Sequence, residues 1–471
     1  MCGRIDGKIA VNAPLVIRNC PDSNYKENFN MKTNADSTLA LFDDCLSRLE
    51  SNLSDFVANP GKDFTRHRLL DFKTVVKTLM ALSGKTMNNE LVDLFITKNQ
   101  VPSVSAFSQQ RNKLKPEVFY QLLRLFQKQP TENQLFKGYR LLAVDGSGMQ
   151  IADNKDDLDS RHSGIGGKAP FNEVFVHGLF DIFQQTYVDF SITKLHKSNE
   201  PRVFVNMIDR FSSDIPVIFL GDMNYSTFNI MAHIQSAHQF FLLRTKDITS
   251  NGSASSFELP DSDVFDLSLP DLTLTRLYSA QRNQTKNFLR YLTRDSVFDF
   301  LSTRSAENVN HFFRLPLRIV RFKISDNKYE TIYTNLNSKD FPLSAIKKLY
   351  SLRWGIETSF RRLKHTIGMI YTHSKKTDFI FQEIFAKVIM FNFVALCSAS
   401  ITRKKGKKGY SYTINFSVAT YLCRKFFLHF IDSMKLEHLI FRQMNPLRPG
   451  KSFIRKSNRS NPFHNFIYRV A

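Results

Sequence analysis

The chain has 471 residues, 42% of them hydrophobic, with a formal net charge of +22 and a pI near 9.7; that length predicts two or three structural units, and that charge a polyanionic partner, nucleic acid ahead of a membrane surface. No apolar run reaches the ~18–20 residues of a spanning helix, the longest being Val388 to Cys397 with Asn392 inside it, and Arg4, Asp6 and Lys8 exclude a signal-peptide core. Five cysteines without CxxC spacing exclude a zinc ribbon and a disulfide framework, so the expectation is a soluble protein with reduced thiols kept inside the cell, with no membrane partner.

Residues 1–61 are polar and Asn/Asp/Ser-rich, with one helical segment near Ser37 to Leu53, and the first thirty read as loosely ordered. Residues 62–134 carry short helical patterns: Phe72 to Leu82, Asn89 to Phe95, Ser103 to Lys115, and one opened by Pro116. Their tight turns are compatible with a helix-turn-helix-like DNA-binding domain in which Gln109, Gln110, Arg111 and Lys113 reach DNA, and equally with a plain helical bundle.

Beyond Gln134 the period changes. Tyr139 to Asp145 reads as a buried strand ending in a carboxylate, followed by a Gly-rich polar loop. Val174 to Phe183 and Thr186 to Thr193 form a predicted hairpin around Gln184-Gln185. A helix (Pro201 to Phe211), a strand ending in Asp222, a helix (Thr227 to Ser236) and a strand (Gln239 to Arg244) follow. The order predicts an α/β fold with a ribonuclease-H-like mixed sheet as catalytic core, over 135–246 and 341–400. A β-rich insertion at 247–340 interrupts it, and an N-terminal helical domain precedes it. The 401–471 region carries 15 Lys/Arg against 2 Asp/Glu; its Arg403 to Lys408 loop and Arg448 to Arg459 tail are candidates to lie along phosphates.

The stretch Tyr350 to Lys364 sorts its residues by face. At about 100° per residue, Tyr350, Arg353, Glu357 and Lys364 fall within roughly 60° of arc, Trp354 lies at its edge, and Leu352, Ile356, Phe360 and Leu363 lie opposite. One reading is an amphipathic surface helix in which Glu357 pairs with Arg353 and Arg361. Two upstream carboxylates at strand ends, Asp145 and Asp222, favour another. If the sheet reading holds, all three converge as hard oxygen ligands for Mg²⁺ or Mn²⁺, and two such ions suit in-line displacement at phosphorus.

The pattern Tyr350-x2-Arg353-x3-Glu357-x6-Lys364 resembles the Y-R-E-K signature of the IS4-type DDE transposases of bacterial insertion sequences. Asp145-Gly146-Ser147 and Asp222-x-Asn224-Tyr225 are similar to that family's first and second aspartate motifs, although Met223-Asn224 differs from the Arg-Gly or Ala-Gly common there. The resemblance covers roughly Phe64 to Ser400. It implies cut-and-paste DNA transposition: nicking at the element's ends, a DNA hairpin intermediate and strand transfer, with Asp145, Asp222 and Glu357 as ligands of two ions and a homodimer on double-stranded DNA ends and target. It also implies Tyr350, Arg353 and Lys364 as phosphate contacts, with Arg361 grouped among the DNA-binding cations. Trp354 has two readings, support of an extruded base or half-buried packing. The rivals are a metal-dependent endonuclease without strand transfer and a transposase-derived DNA-binding regulator. A cytoplasmic, nucleoid-associated location goes with the bacterial family.

Overall fold

In a computed structural model of the chain, the described residues are 34–447, apart from 67, 99, 165–168, 251, 278–286, 303–309 and 403–409, together with 467–468. The expectations for the first thirty residues, the Arg403 to Lys408 loop, the Arg448 to Arg459 tail, Cys2 and Cys20 lie outside them, as do residues 165–168 at the end of the Gly-rich loop after Asp153. Helices in chain order are α1 (Asn34–Ser51), α2 (Phe72–Ala81), α3 (Met87–Phe95), α4 (Val104–Arg111), α5 (Glu117–Leu125), α6 (Glu200–Asp209) and α7 (Phe228–Ser236). They continue with α8 (Leu343–Ser351), α9 (Trp354–Arg361), α10 (Thr377–Ser398), α11 (Phe416–Phe427) and α12 (Ser433–Arg442). Two compact units result, a helical one (Met1–Leu122 with Arg362–Ala471) and an α/β one (Leu123–Arg361).

In the helical unit α10 is central, buried without interruption from Gln382 to Ser398. Its Phe393 ring meets Phe42 of α1 at 6.4 Å and Phe427 of α11 at 5.2 Å. Although no apolar run in the sequence reaches spanning length, α10 has 22 residues and a mean hydropathy of 1.7 over its most apolar window. Because 83% of that window is buried by its own fold, its all-round apolarity is that of a core helix. The polar groups it carries inward are satisfied there: the Lys387 ammonium donates to the Leu82 carbonyl, and Glu383 pairs with Arg111 at 2.9 Å. Local caps start the shorter helices, with Asp71 accepting from the Thr74 N–H at 2.8 Å and Ser103 from the Ala106 N–H at 3.1 Å. Cys45, Cys397 and Cys423 are buried and not in disulfides.

The α/β unit is built on strands β1 (Arg140–Ile151), β2 (Phe171–Asp181), β3 (Thr186–Lys194), β4 (Val217–Gly221), β5 (Phe240–Thr245), β6 (Phe265–Leu269), β7 (Leu317–Ser325) and β8 (Lys328–Thr334). These lie in one nine-stranded sheet in the order β3-β2-β1-β4-β5-β8-β7-β6, with Arg161–His162 as a short ninth strand beside β2. Strands β1, β2 and β3 are antiparallel, whereas β4 and β5 run parallel to β1. The hydrophobic run Leu141 to Val144 is wholly buried, as a strand covered on both faces requires. Leu142 and Val144 face a core shared with Phe204 of α6 and Ile230 of α7, and α9 packs against β1. Gln185 takes a left-handed φ of 58° in the β2–β3 turn, which is how the expected hairpin closes, and Asn327 takes one of 56° in the turn between β7 and β8.

The segment expected as a separate β-rich subdomain mostly extends this sheet. Strand β8 pairs with β5 from Thr331 opposite Thr245 to Thr334 opposite Leu242. Among the described residues of this segment, a small three-stranded sheet formed by Thr273–Thr275, Leu289–Tyr291 and Phe312–Arg314 is separate from it. The reason is an open edge: β5 ends the parallel series with unpaired backbone groups, and the inserted chain covers them.

Candidate active site

Asp145 and Asp222 are 77 positions apart in the sequence, and β1 pairs with β4 at that same offset, Arg140 with Val217 through Ala143 with Leu220. Continued two residues past the last pair, that register would bring the two aspartates side by side, and the Asp222 charge is felt at the Asp145 carboxyl. Asp145 is not at a strand tip as expected, because β1 continues to Ile151 along β2; it stands where β1 parts from β4. Asp222 caps the single turn Met223–Tyr225, its Oδ1 accepting from the Asn224 N–H at 2.9 Å. Glu357 lies in the first turn of α9.

The electrostatics record their convergence. Burial pushes the Asp145 carboxyl from its ordinary 3.8 to about 6; Arg353 and the Gly146 N–H oppose the rise, and the negative charges of Asp222 and Glu357 add to it. The Gly146 N–H donates to Asp145 Oδ1 at 2.9 Å. Arg353 Nη2 donates to Glu357 Oε1 at 2.7 Å, the pairing anticipated for a sided helix. Its guanidinium lies 5.8 Å from the Tyr350 ring and 5.1 Å from the Trp354 ring.

The stretch carrying these groups is not one helix. Between α8 and α9 the chain breaks at Leu352 and Arg353, and after Arg361 it continues as a π-helical turn, Arg362–Ile367. A constant 100° per residue therefore does not hold from Tyr350 to Lys364. Tyr350 ends up buried on α8, Arg353 buried in the break, Trp354 50% exposed, and Arg361 exposed. Lys364, half-buried, sits in the π-turn of the helical unit.

Arg111 requires correction. Its side chain is 2% exposed, pairs with Glu383, and donates from Nε to Gln382 at 3.1 Å and from Nη2 to the Phe379 carbonyl at 2.8 Å. A guanidinium so enclosed has no surface to offer DNA; it ties α4 to α10. Lys113 is half-buried, 4.0 Å from Asp63 and over the Phe64 ring at 5.6 Å, while Gln109 of the same segment is exposed.

Two groups were not singled out from the sequence. Glu200 at the start of α6 accepts from Asn224 Nδ2 at 3.2 Å, bracing the turn that follows Asp222. Its position after the cap Asn199 was the available signal, but a carboxylate in a first turn ordinarily answers the helix dipole. Tyr225 is 1% exposed and feels the charges of Glu200, Asp145 and Asp222, its hydroxyl having no hydrogen-bond partner among the described residues.

The donors suit a hard divalent cation. No three His, Cys, Asp or Glu side chains form a ready chelate among the described residues. Mg²⁺ does not need one, since it keeps several waters and uses one or two carboxylates with substrate phosphates. Asp145, Asp222 and Glu357 are the residues that would hold it.

A pH test follows from Asp145. The folded chain keeps this proton up to about pH 6, whereas the unfolded chain releases it near 3.8. Its stabilising contribution is thus full below 3.8 and lost as pH rises through 6, by up to about 3 kcal/mol. Urea titrations of the metal-free protein at pH 4 and pH 7 are expected to show this loss in the wild type and not in Asp145→Asn. Divalent-cation affinity is expected to run the other way, falling as pH drops below about 6, because the ligand is the carboxylate.

Residues 136–393, more than half of the chain, match the family model of the transposase DDE domain. The chain belongs to the DDE transposase family. Asp145, Asp222 and Glu357 all lie within the matched span of this DDE transposase, and the membership makes the protein an enzyme class that cleaves and transfers DNA. Among solved structures, a piggyBac transposase synaptic complex with hairpin DNA is similar at a TM-score of 0.43 and 10% identity, over 91% of this chain and 89% of that one. No curated protein matches the sequence significantly.

Proposed function

We propose that this DDE transposase is of the IS4 type and moves its element by cut-and-paste transposition, with a ribonuclease-H-like core that nicks the element's ends, passes through a DNA hairpin and joins the ends to target DNA. The observation that carries the reading is the 77-residue offset shared by the β1–β4 register and the two aspartates, together with the packing on β1 of α9, which carries Glu357, and the action of both the Asp222 and the Glu357 charge on Asp145. The strand order, three antiparallel strands followed by two parallel to the first, supports the core assignment. Two Mg²⁺ or Mn²⁺ ions bound there would activate the attacking water or 3′-hydroxyl and stabilise the leaving oxygen. Arg353, buried and bonded to Glu357, serves to orient that carboxylate. Trp354 and Arg361, both exposed, are assigned to DNA, as is Lys364 from its place in the Y-R-E-K pattern. A homodimer holding two ends completes the proposal.

The deciding assay supplies pre-cleaved element ends and a target plasmid under Mg²⁺. Joined products are expected. Hydrolysis without joining would point to an endonuclease, and binding without cleavage under either cation to a regulator. For Lys364→Ala, loss of one phosphate contact is expected to reduce the slope of log affinity against log salt by about 1; an unchanged slope removes Lys364 from the contact set.

A further inference from the structure

Tyr187 of β3 is fully buried, and its side chain lies over Gly178 of β2, the residue paired with Asp145. A Cβ on Gly178 would stand 2.7 Å from Tyr187 Cε1 and 3.3 Å from Phe360 Cζ. The glycine is therefore what lets both rings close over the strand beside Asp145. The Tyr187 and Phe360 rings meet at 5.8 Å, and the Tyr187 hydroxyl is 2.8 Å from Ser359 Oγ. Ser359 spends its single hydrogen on the Ile356 carbonyl at 2.7 Å, so the tyrosine is the donor. Burial pushes its phenol far above the ordinary range, the Asp145 charge adding to the effect after the Ser359 bond opposes it; the donor proton is retained at every working pH. Ile356 and Ser359 flank Glu357 on α9. One side chain thus touches both the neighbour of the first carboxylate and the turn that carries the third.

We propose that Tyr187 is a positioning residue of the active site, fixing the spacing of Glu357 from Asp145 through its bond to Ser359 and its seat on Gly178, and thereby setting the affinity for divalent cations. The inference rests on the reading of Asp145, Asp222 and Glu357 as cation ligands. Outer-shell partners of this kind typically change metal affinity 10–100-fold, because a carboxylate held slightly off its place must be paid for on binding.

The test uses the full chain and Mn²⁺, counted free and bound by electron paramagnetic resonance, with metal-free melting temperature measured in parallel. Tyr187→Phe keeps the ring and removes only the donor. It is expected to weaken Mn²⁺ binding about tenfold, to lower the kcat for nicking with KM for the DNA ends unchanged, and to be matched by Ser359→Ala. The double variant Y187F/S359A is expected to be no weaker than the poorer single variant, since both break one bond. Gly178→Ala, which displaces Tyr187 without altering any charge or donor, is expected to weaken Mn²⁺ binding as well. Wild-type Mn²⁺ affinity in Tyr187→Phe, whatever its melting temperature, overturns the proposal. Asp145→Asn separates the two levels. If it loses Mn²⁺ while Tyr187→Phe does not, the positioning role falls and the cation site stands; if Asp145→Asn also binds as wild type, both fall.

Discussion

Replacing Glu357 by glutamine is expected to reduce nicking of element ends by at least about a thousandfold while the ends remain bound. The substitution keeps the shape of the side chain and can retain an acceptor for Arg353, which now donates to Glu357 at 2.7 Å, so α9 should keep its seat on β1. What disappears is one negative charge from a site assembled from three. Loss of a group that acts as part of a catalytic unit can cost on the order of 10⁴–10⁶ in rate, because the remaining members cannot align substrate and charge alone. Binding of the ends, by contrast, draws mainly on phosphate contacts by cations distributed over a chain of net charge +22. The measurement is a single-turnover nicking assay on labelled ends beside a gel-shift titration. Cutting at wild-type rate would remove Glu357 from the site; loss of binding together with cutting would assign it a structural role.

A change of similar weight, on stability in place of chemistry, is expected at Arg111. Glu383 is buried with its carboxyl at about 2: burial pushes it up, and Arg111 and His373 overcome that. Since its folded value lies below the ordinary 4.5, the pair contributes stability at neutral pH that is lost as pH falls through about 2. Arg111→Met leaves that carboxylate enclosed and its nearest charge gone, and breaking one side of such a pair typically costs about 3–5 kcal/mol. Removing both charges with R111M/E383M is expected to recover much of the loss, because the buried charge disappears along with its partner. Urea denaturation followed by the helical signal measures both variants. Should Arg111→Met leave stability unchanged and weaken DNA binding alone, the buried ion pair would not be the role of this residue.

These two residues mark where the sequence was legible. Asp145, Asp222 and Glu357 stand out as candidates because the first two end apolar runs and the third sits among cations in a spacing that resembles Y-R-E-K. The strand and helix order of the α/β unit was visible because period-2 and period-3.6 patterns are local. Arg111 was misread because its partner Glu383 is 272 residues away; nothing within α4 distinguishes a cation that will meet a buried carboxylate from one that will meet phosphate. The helix from Tyr350 to Lys364 was misdrawn for a related reason. A constant turn angle cannot register the break at Leu352 and Arg353 or the π-turn at Arg362–Ile367, both of which depend on what the flanking turns pack against.

The sequence by itself determined the family of the protein, its three candidate carboxylates and its net positive charge of +22, since these rest on residue type and on spacing within single elements. Only the tertiary structure decided that a 77-residue offset is a strand register, that the β-rich segment extends the sheet, that Glu200 braces the turn after Asp222, and that Tyr187 spans from beside Asp145 to the Glu357 helix. The physical reason is the same in each case: hydrogen bonds and packing between segments far apart in the chain choose which polar group is buried and what it faces, and no local pattern carries that choice.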